Sequence, residues 1–497
     1  MNSSFSKSIG GGLGLLVATT GLYAAGSSYQ AKKPNVLFIA FDDLKPNLKC
    51  YGDNKAITPN IDKIASMGML FANNHCQYAI CGPTRASLLS GLRPDTSGVI
   101  KFGDKMRTKF PQLTTLPQQF KNNGYTVIGA GKIYDGRCCD GFTTQDIPSW
   151  SEPLISPPDH KWALKENKKK KAPVECADVP DDAYFDGAMT DIAVKRLKKL
   201  IGDYKTNKQP FFFAFGLKKP HLPFAAPKKY WDMYKNTKFS IAEFQDRPAG
   251  APVYAWQDSW ELRGGYGVPK KGKFSEELQL DMIKGYYAAL TYADAQLGKV
   301  IKEFEDNGLL ENTIIVLWGD HGWHLGDHGM WGKHTNYEQS TRSPLIIYNP
   351  GMKNKGTVTS SPSEHIDIYP TLLDLAGLQP PKSQPLEGLS LRPLLNNPKA
   401  QVKQLAISQF SRYGKGKHLM GYTYRGKRYR YTKWVTTSDK GQKPGVLMDE
   451  ELYDYKKDPL ETKSLLNNPE YKQVLEKFRS LTKDGYKSLE TSEKCDL

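Results

Sequence analysis

Four short, uninterrupted apolar runs, each stopping at polar residues able to do chemistry, constrain this chain more than any other feature. Val36-Leu37-Phe38-Ile39-Ala40-Phe41 stops at Asp42-Asp43, and Thr313-Ile314-Ile315-Val316-Leu317-Trp318 stops at Gly319-Asp320-His321. Tyr125-Thr126-Val127-Ile128 leads through Gly129-Ala130-Gly131 to Lys132, and Phe211-Phe212-Phe213-Ala214-Phe215 leads to Lys218-Lys219-Pro220-His221. Runs that are continuous rather than alternating suit strands buried on both faces, and the intervals between them are long enough for helices. In parallel α/β sheets, crossover connections bring the carboxyl ends of strands to one edge, where ligands bind. A charged residue after one buried strand is unremarkable. Four such endings, in acids, a lysine and a histidine, point to a site.

The tail differs in kind. Leu405-Ala406-Ile407-Ser408, the aromatic and basic stretch 420–434 around the turn Arg425-Gly426-Lys427, and Glu451-Leu452-Tyr453-Asp454-Tyr455 read as short antiparallel strands, with a final helix over 471–481. The reading is therefore α/β: a large, mostly parallel sheet flanked by helices over 31–400, and a smaller α+β subdomain with an antiparallel sheet over 401–497. The boundary follows the Pro/Asn-rich stretch 393–398, and a length of 497 residues suits a large domain with a smaller one appended. Residues 1–30 have a basic start at Lys7, a short apolar stretch and small residues at Ala24-Ala25-Gly26, the pattern of a signal peptide. No later run is long and apolar enough to span a membrane. The chain is expected to be exported, to the periplasm or beyond.

Export gives the seven cysteines and the charge their meaning. If six of them pair, one thiol has another fate, and Cys81 is the candidate. Cys50, Cys76, Cys138, Cys139, Cys176 and Cys495 are left to pair fully or in part. A formal charge of +17 attracts polyanions, and export argues against nucleic acid as the partner. The run Lys168-Lys169-Lys170-Lys171 reads as a solvated loop.

Cys81-Gly82-Pro83-Thr84-Arg85 precedes Ala86-Ser87-Leu88-Leu89-Ser90-Gly91, so the motif should open a helix that closes near Gly91. Free N–H groups at the helix start and Arg85, one turn on, make an anion pocket around position 81. The spacing Cys-x-Pro-x-Arg, extended through Gly91-Leu92-Arg93-Pro94, resembles the signature of type I sulfatases, which formylglycine-generating maturases recognise. Stretch 35–51, Asp320-His321-Gly322-Trp323, Trp331-Gly332-Lys333 and Ile366-Asp367-Ile368-Tyr369-Pro370-Thr371-Leu372 resemble the iduronate-2-sulfatase branch, in the same order. The resemblance implies the alkaline phosphatase-like sulfatase fold.

It also implies roles. Cys81, oxidised to formylglycine and hydrated, would supply one hydroxyl to attack sulfur and a second to expel sulfate later. Asp42, Asp43, Asp320 and His321, with position 81, would hold one calcium ion; nitrogen is an unusual calcium ligand, which sets His321 apart. Arg85, Lys132 and Lys333 would donate to the sulfate oxygens, and His221 would protonate the leaving alcohol. One departure stands out. The family commonly has Gly-Lys-x-x-His, with the histidine as base for sulfate release, whereas this chain has Gly131-Lys132-Ile133-Tyr134-Asp135. Asp135 can accept a proton but cannot also donate as an imidazolium would, which leaves His324 or water as alternatives.

The implied substrate is a sulfated polysaccharide or its oligosaccharides: an algal galactan, an ulvan-like polymer or a glycosaminoglycan. Flanking anions would meet Arg93, Lys101 and the strands around 425–434. Two other readings remain open, a phosphomonoesterase or phosphonate hydrolase of the same superfamily and a noncatalytic homologue that binds sulfated glycans.

Overall fold

The run at 35–42 forms β1 (Asn35–Asp42), in which every residue is buried. With β2 (Met69–Phe71), β3 (Thr126–Gly131), β4 (Phe211–Pro220), β5 (Thr313–Gly319), β6 (Leu345–Tyr348) and β7 (Thr357–Thr359) it builds one sheet. Its strand order is β7-β2-β6-β5-β1-β4-β3. The computed structural model describes residues 33–139, 145–437, 445–483 and Leu497. The expected signal segment and Cys495 lie outside them.

The four apolar runs are the four adjacent strands β5, β1, β4 and β3, all parallel. Because they run the same way side by side, their reactive endings fall on one edge: Phe41 sits opposite Gly319, and Asp42 opposite Pro220. On the far side β6 is antiparallel to β5 and β2, and β7 is parallel to β2. Total burial of β1 requires cover on both faces. The helices α1 (Cys81–Ser90), α2 (Phe185–Asn207) and α4 (Glu276–Asp306) supply it, while the short α3 (Trp260–Gly265) packs instead on the segment Trp331–Gly332. Both α2 and α4 pack on β4 and on each other. Helix α4 is started by Ser275, whose side chain accepts from the Leu278 N–H.

Helix α1 is buried along all ten residues and ends at Gly91 with φ 71°, where the sequence placed its close. Residue Ile80 precedes it without a side-chain cap, so the first N–H groups around Cys81 keep their polarity. Glycine is needed at the end of β3: Gly131 has φ 73°, and a Cβ there would lie 1.9 Å from the Gly216 carbonyl oxygen. That close approach turns the chain so that the Lys132 N–H donates to the same oxygen at 2.8 Å.

The tail forms β8 (Ala406–Gly414), β9 (Lys417–Arg425), β10 (Tyr429–Thr436) and β11 (Leu447–Asp454), a four-stranded antiparallel meander, followed by α5 (Lys472–Leu481). The first strand runs further than its sequence suggests, because the hairpin turns at Lys415 and Gly416, with φ 51° and 71°. The sheet braces two loops. The Gln409 N–H donates to the Gln77 carbonyl at 2.8 Å, Ser408 Oγ donates to the Cys76 carbonyl at 2.6 Å, and Asn336 Nδ2 donates to the Gly421 carbonyl at 3.1 Å. The segments before Cys81 and after Lys333 are thereby fixed.

Some expectations change. The lysine run is mostly helical (Lys165–Lys170) and exposed rather than a loop. None of the described cysteines, Cys50, Cys76, Cys81, Cys138, Cys139 and Cys176, is bridged to another of them. Among the described residues no helix is long and apolar enough to cross a membrane.

Substituting Gly131→Ala should destabilise the fold by about 3 kcal/mol or more, since it adds positive-φ strain to a clash with backbone. Chemical denaturation measures this, and an unchanged midpoint would refute the packing at this crossing.

Candidate active site

The edge where β1 and β5 end gathers three acids. Asp43 turns the chain with φ 60°, a conformation costly for a residue with a side chain. Asp320 supports it: its Oδ1 accepts from the backbone N–H of Asp43 and of His321, both at 3.0 Å, and its Oδ2 accepts from Arg85 Nε at 2.9 Å. Arg85 is fully buried and commits its remaining nitrogens to the Lys132, Ile133 and Phe41 carbonyls, with Asp42 Oδ1 at 3.6 Å. It thus binds the acids and strand ends rather than facing open space.

The amines behave differently. Lys132 pairs with Asp42, and Lys333 donates to Asp43 Oδ1 at 2.8 Å while reaching Glu261 at 2.9 Å. Burial opposes ionisation of Asp42, but Lys132, His221 and Arg85 outweigh it and hold the carboxyl well below the usual carboxylate range. For Asp43 burial prevails, helped by the charge of Asp42, and its carboxyl is pushed up.

Position 81 completes the cluster. Cys81 is 1% exposed, and its Sγ lies 3.4 Å from His321 Nε2. Nδ1 of His321 faces the Gly322 carbonyl at 3.0 Å, and its Nε2 points toward Cys81, Asp43 Oδ1 at 3.5 Å and Asp320 Oδ1 at 3.6 Å. Burial, and next the charge of Asp42, push the Cys81 thiol well up, so the unmodified side chain stays protonated near neutrality.

These residues fit a hard divalent cation. Asp42 Oδ1 and Asp43 Oδ2 are buried without a hydrogen-bond partner among the described residues, which a cation would remedy. One ligand atom from each of Asp42, Asp43, Cys81 and His321 falls within 4.8 Å of the others. Asp320 stands behind this group, its oxygens engaged as described.

His221 follows β4 and faces the same cluster. Its Nδ1 lies 2.7 Å from the Leu222 carbonyl, and its Nε2 lies 3.1 Å from Glu261 Oε1 and 3.7 Å from Asp43 Oδ2. Acceptors at both nitrogens favour the imidazolium. Burial works against that charge, yet Asp43, Asp42 and Glu261 raise the ring above its ordinary range. In front of the group opens a cavity of about 640 Å³, lined among others by Asp42, Lys132, Asp135, Arg137, His221 and Glu261.

The sulfatase family model matches residues 34–378, and that of the N-sulphoglucosamine sulphohydrolase C-terminal region matches 326–486. The iduronate 2-sulfatase of Mus musculus is 31% identical, over 90% of this chain and 93% of its own length. The chain belongs to the sulfatase family. It is a sulfuric ester hydrolase of type I, on the iduronate-2-sulfatase branch. Its fold is the alkaline phosphatase-like one. A structure solved in complex with its substrate D-glucosamine-2-N,6-O-disulfate is similar with a TM-score of 0.70 and 22% identity, covering 92% of this sulfatase and 98% of that chain. The phosphonate monoester hydrolase of Agrobacterium radiobacter shares the fold with a TM-score of 0.67 and 23% identity, covering 91% and 96%.

Two expected residues sit differently. His324 is fully buried, with Nε2 against Thr335 Oγ1 at 3.0 Å and Nδ1 against the Asp327 carbonyl at 3.2 Å, so both nitrogens serve packing. Asp135 lines the cavity, but both its oxygens are gripped by Arg137, and its carboxyl is held down to about 2, burial being outweighed by Arg137 and Lys132. Of the expected flanking contacts Lys101 is exposed, whereas Arg93, Arg425 and Trp434 are internal to this sulfatase. Arg93 pairs with Glu364 at 2.8 Å, Arg425 pairs with Glu338 at 3.1 Å, and Trp434 is buried against Glu451. Glu261 is the residue that sequence reasoning missed. It lies on the short helix α3, far from any strand ending or motif, and no periodicity marks it.

Glu261→Gln removes one of the charges that keep His221 protonated. The alkaline limb of kcat for a sulfate ester of a poor leaving alcohol should therefore move to lower pH, by about one unit or less. A limb that stays in place would show that Glu261 does not act on His221.

Proposed function

We propose that this sulfatase is an exported, formylglycine- and calcium-dependent enzyme that removes sulfate esters from an acidic glycan, of the class bearing 2-sulfated uronate. One observation carries the reading: Cys81, at an uncapped helix start, meets Asp42, Asp43 and His321 on one side while Lys132, Lys333 and His221 converge on the same acids. The name of the mouse relative supports the uronate 2-sulfate, and the signal-like segment 1–30 supports export.

The chemistry divides among the residues. Formylglycine at position 81, when formed, supplies the hydroxyl nucleophile that a buried, protonated thiol does not. Asp42, Asp43, His321 and position 81, with Asp320 behind them, would hold calcium, which would supply Lewis-acid charge. Lys132 and Lys333, which pair with Asp42 and Asp43 here, would donate to sulfate oxygens, where negative charge develops. Arg85 keeps Asp42 and Asp320 in place from the buried side. His221, charged and held by Glu261, gives its Nε2 proton to the leaving oxygen. Asp135 is occupied by Arg137, so release of sulfate relies on a base other than Asp135 or His324, and water in the open cavity is the candidate. With Cys81 at 1% exposure, the maturase has to act before the segment folds.

Two measurements test this. Peptide mass spectrometry of protein made with a maturase should show an aldehyde at position 81 in the active fraction, and an intact thiol in fully active enzyme would refute the nucleophile. Chelation should abolish turnover of 2-sulfated uronates, and calcium should restore it. Full turnover of the metal-free enzyme would remove the cation from the mechanism.

A further inference from the structure

Asp135 stands where the related pattern has histidine, and it brings a cation with it. Arg137 holds both Asp135 oxygens in a fork, Nε at 2.8 Å and Nη2 at 2.7 Å, while its backbone N–H donates to Oδ1 at 3.1 Å. The carboxylate is hidden, its side chain 5% exposed, whereas that of Arg137 is 44% exposed. The guanidinium lies over the Phe102 ring, 3.3 Å from its centroid, so stacking and fork together fix its plane. Nη1 has no hydrogen-bond partner among the described residues, and Arg137 lines the cavity that also holds Asp42, Lys132 and His221.

We propose that Arg137 determines specificity by reading a second anionic substituent, a carboxylate or another sulfate, on the sugar that carries the scissile ester. The proposal rests on the reading of position 81 as the sulfate-ester site. Lys132 lies 3.9 Å from Asp135 Oδ2, so Lys132 and Arg137 flank one carboxylate, the first beside the reacting centre and the second further along the wall. An anion one substituent away from the ester is thus offered a planar donor edge already held in place, and little ordering entropy is lost on binding. Asp135 cancels much of the long-range field of Arg137. The guanidinium therefore discriminates at contact rather than drawing ligands from a distance.

The test uses matured holoenzyme and two probe pairs: a 2-O-sulfated uronic acid methyl glycoside with its neutral methyl ester, and N,6-O-disulfated with 6-O-sulfated glucosamine. Wild type should prefer the more anionic member of at least one pair in kcat/KM by about tenfold. A preference confined to the first pair identifies a carboxylate as the second anion, and one confined to the second pair a sulfate. Arg137→Ala should remove the preference while changing the less anionic member less than about twofold, and Arg137→Lys should fall between. Equal losses on both members would make Arg137 a strut for Asp135 and overturn the proposal. So would a wild type with no preference in either pair, a result that needs no variant to fold. Absence of turnover on every probe would overturn the sulfate-ester reading together with this one, whereas turnover without preference overturns Arg137 alone.

Discussion

The site depends on Arg85 buried between acids. Three carboxylates at the ends of two adjacent strands repel one another in a region with little water, and burial makes each charge expensive. Arg85 answers from beneath: one nitrogen binds Asp320, the others bind strand-end carbonyls, and Asp42 is near. Its planar fork ties β1, β5 and the turn after β3 to the start of α1. Lysine, with a single ammonium, does not span those partners. Removing one member of such a buried cluster leaves the rest unpaired, so the arrangement is held as a unit.

Charge in the cluster is divided in a way that suits the chemistry. Asp42 is held ionised by neighbouring cations, whereas Asp43 is raised by burial and by Asp42. Each acid keeps one unpartnered oxygen among the described residues, Asp42 Oδ1 near Arg85 and Asp43 Oδ2 near His221, while Asp43 Oδ1 faces His321. Glu261 then balances Lys333 and His221 from the opposite wall. Along the cavity wall Asp42, Asp135, Asp159, Asp186 and Glu261 face Lys132, Arg137, Lys161, Lys218, Lys219 and His221, so the wall carries far less net charge than the chain's +17.

The antiparallel tail contributes by bracing. Its hydrogen bonds to Gln77, Cys76 and Asn336 fix the segments that carry Cys81 and Lys333. Its basic and aromatic residues looked like a glycan surface in the sequence, yet Arg425 and Trp434 turn inward to Glu338 and Glu451. A lysine-rich composition gives no means of telling a solvated cation from a paired one.

The sequence by itself determined the parallel sheet, the helix opening at Cys81 and the residues at four strand ends. Those features are local: an apolar run, its length and the residue that stops it. Adjacent parallel strands then place the endings on one edge without further information. Tertiary structure alone decided the rest. Glu261 reaches the site from a short helix on a long connection, Arg137 reaches the cavity wall through Asp135, and His324 is absorbed into packing against Thr335. Their partners lie far away in the chain or on irregular backbone, where no periodicity records which way a side chain faces, and only the folded arrangement of charges and carbonyls assigns each one its place.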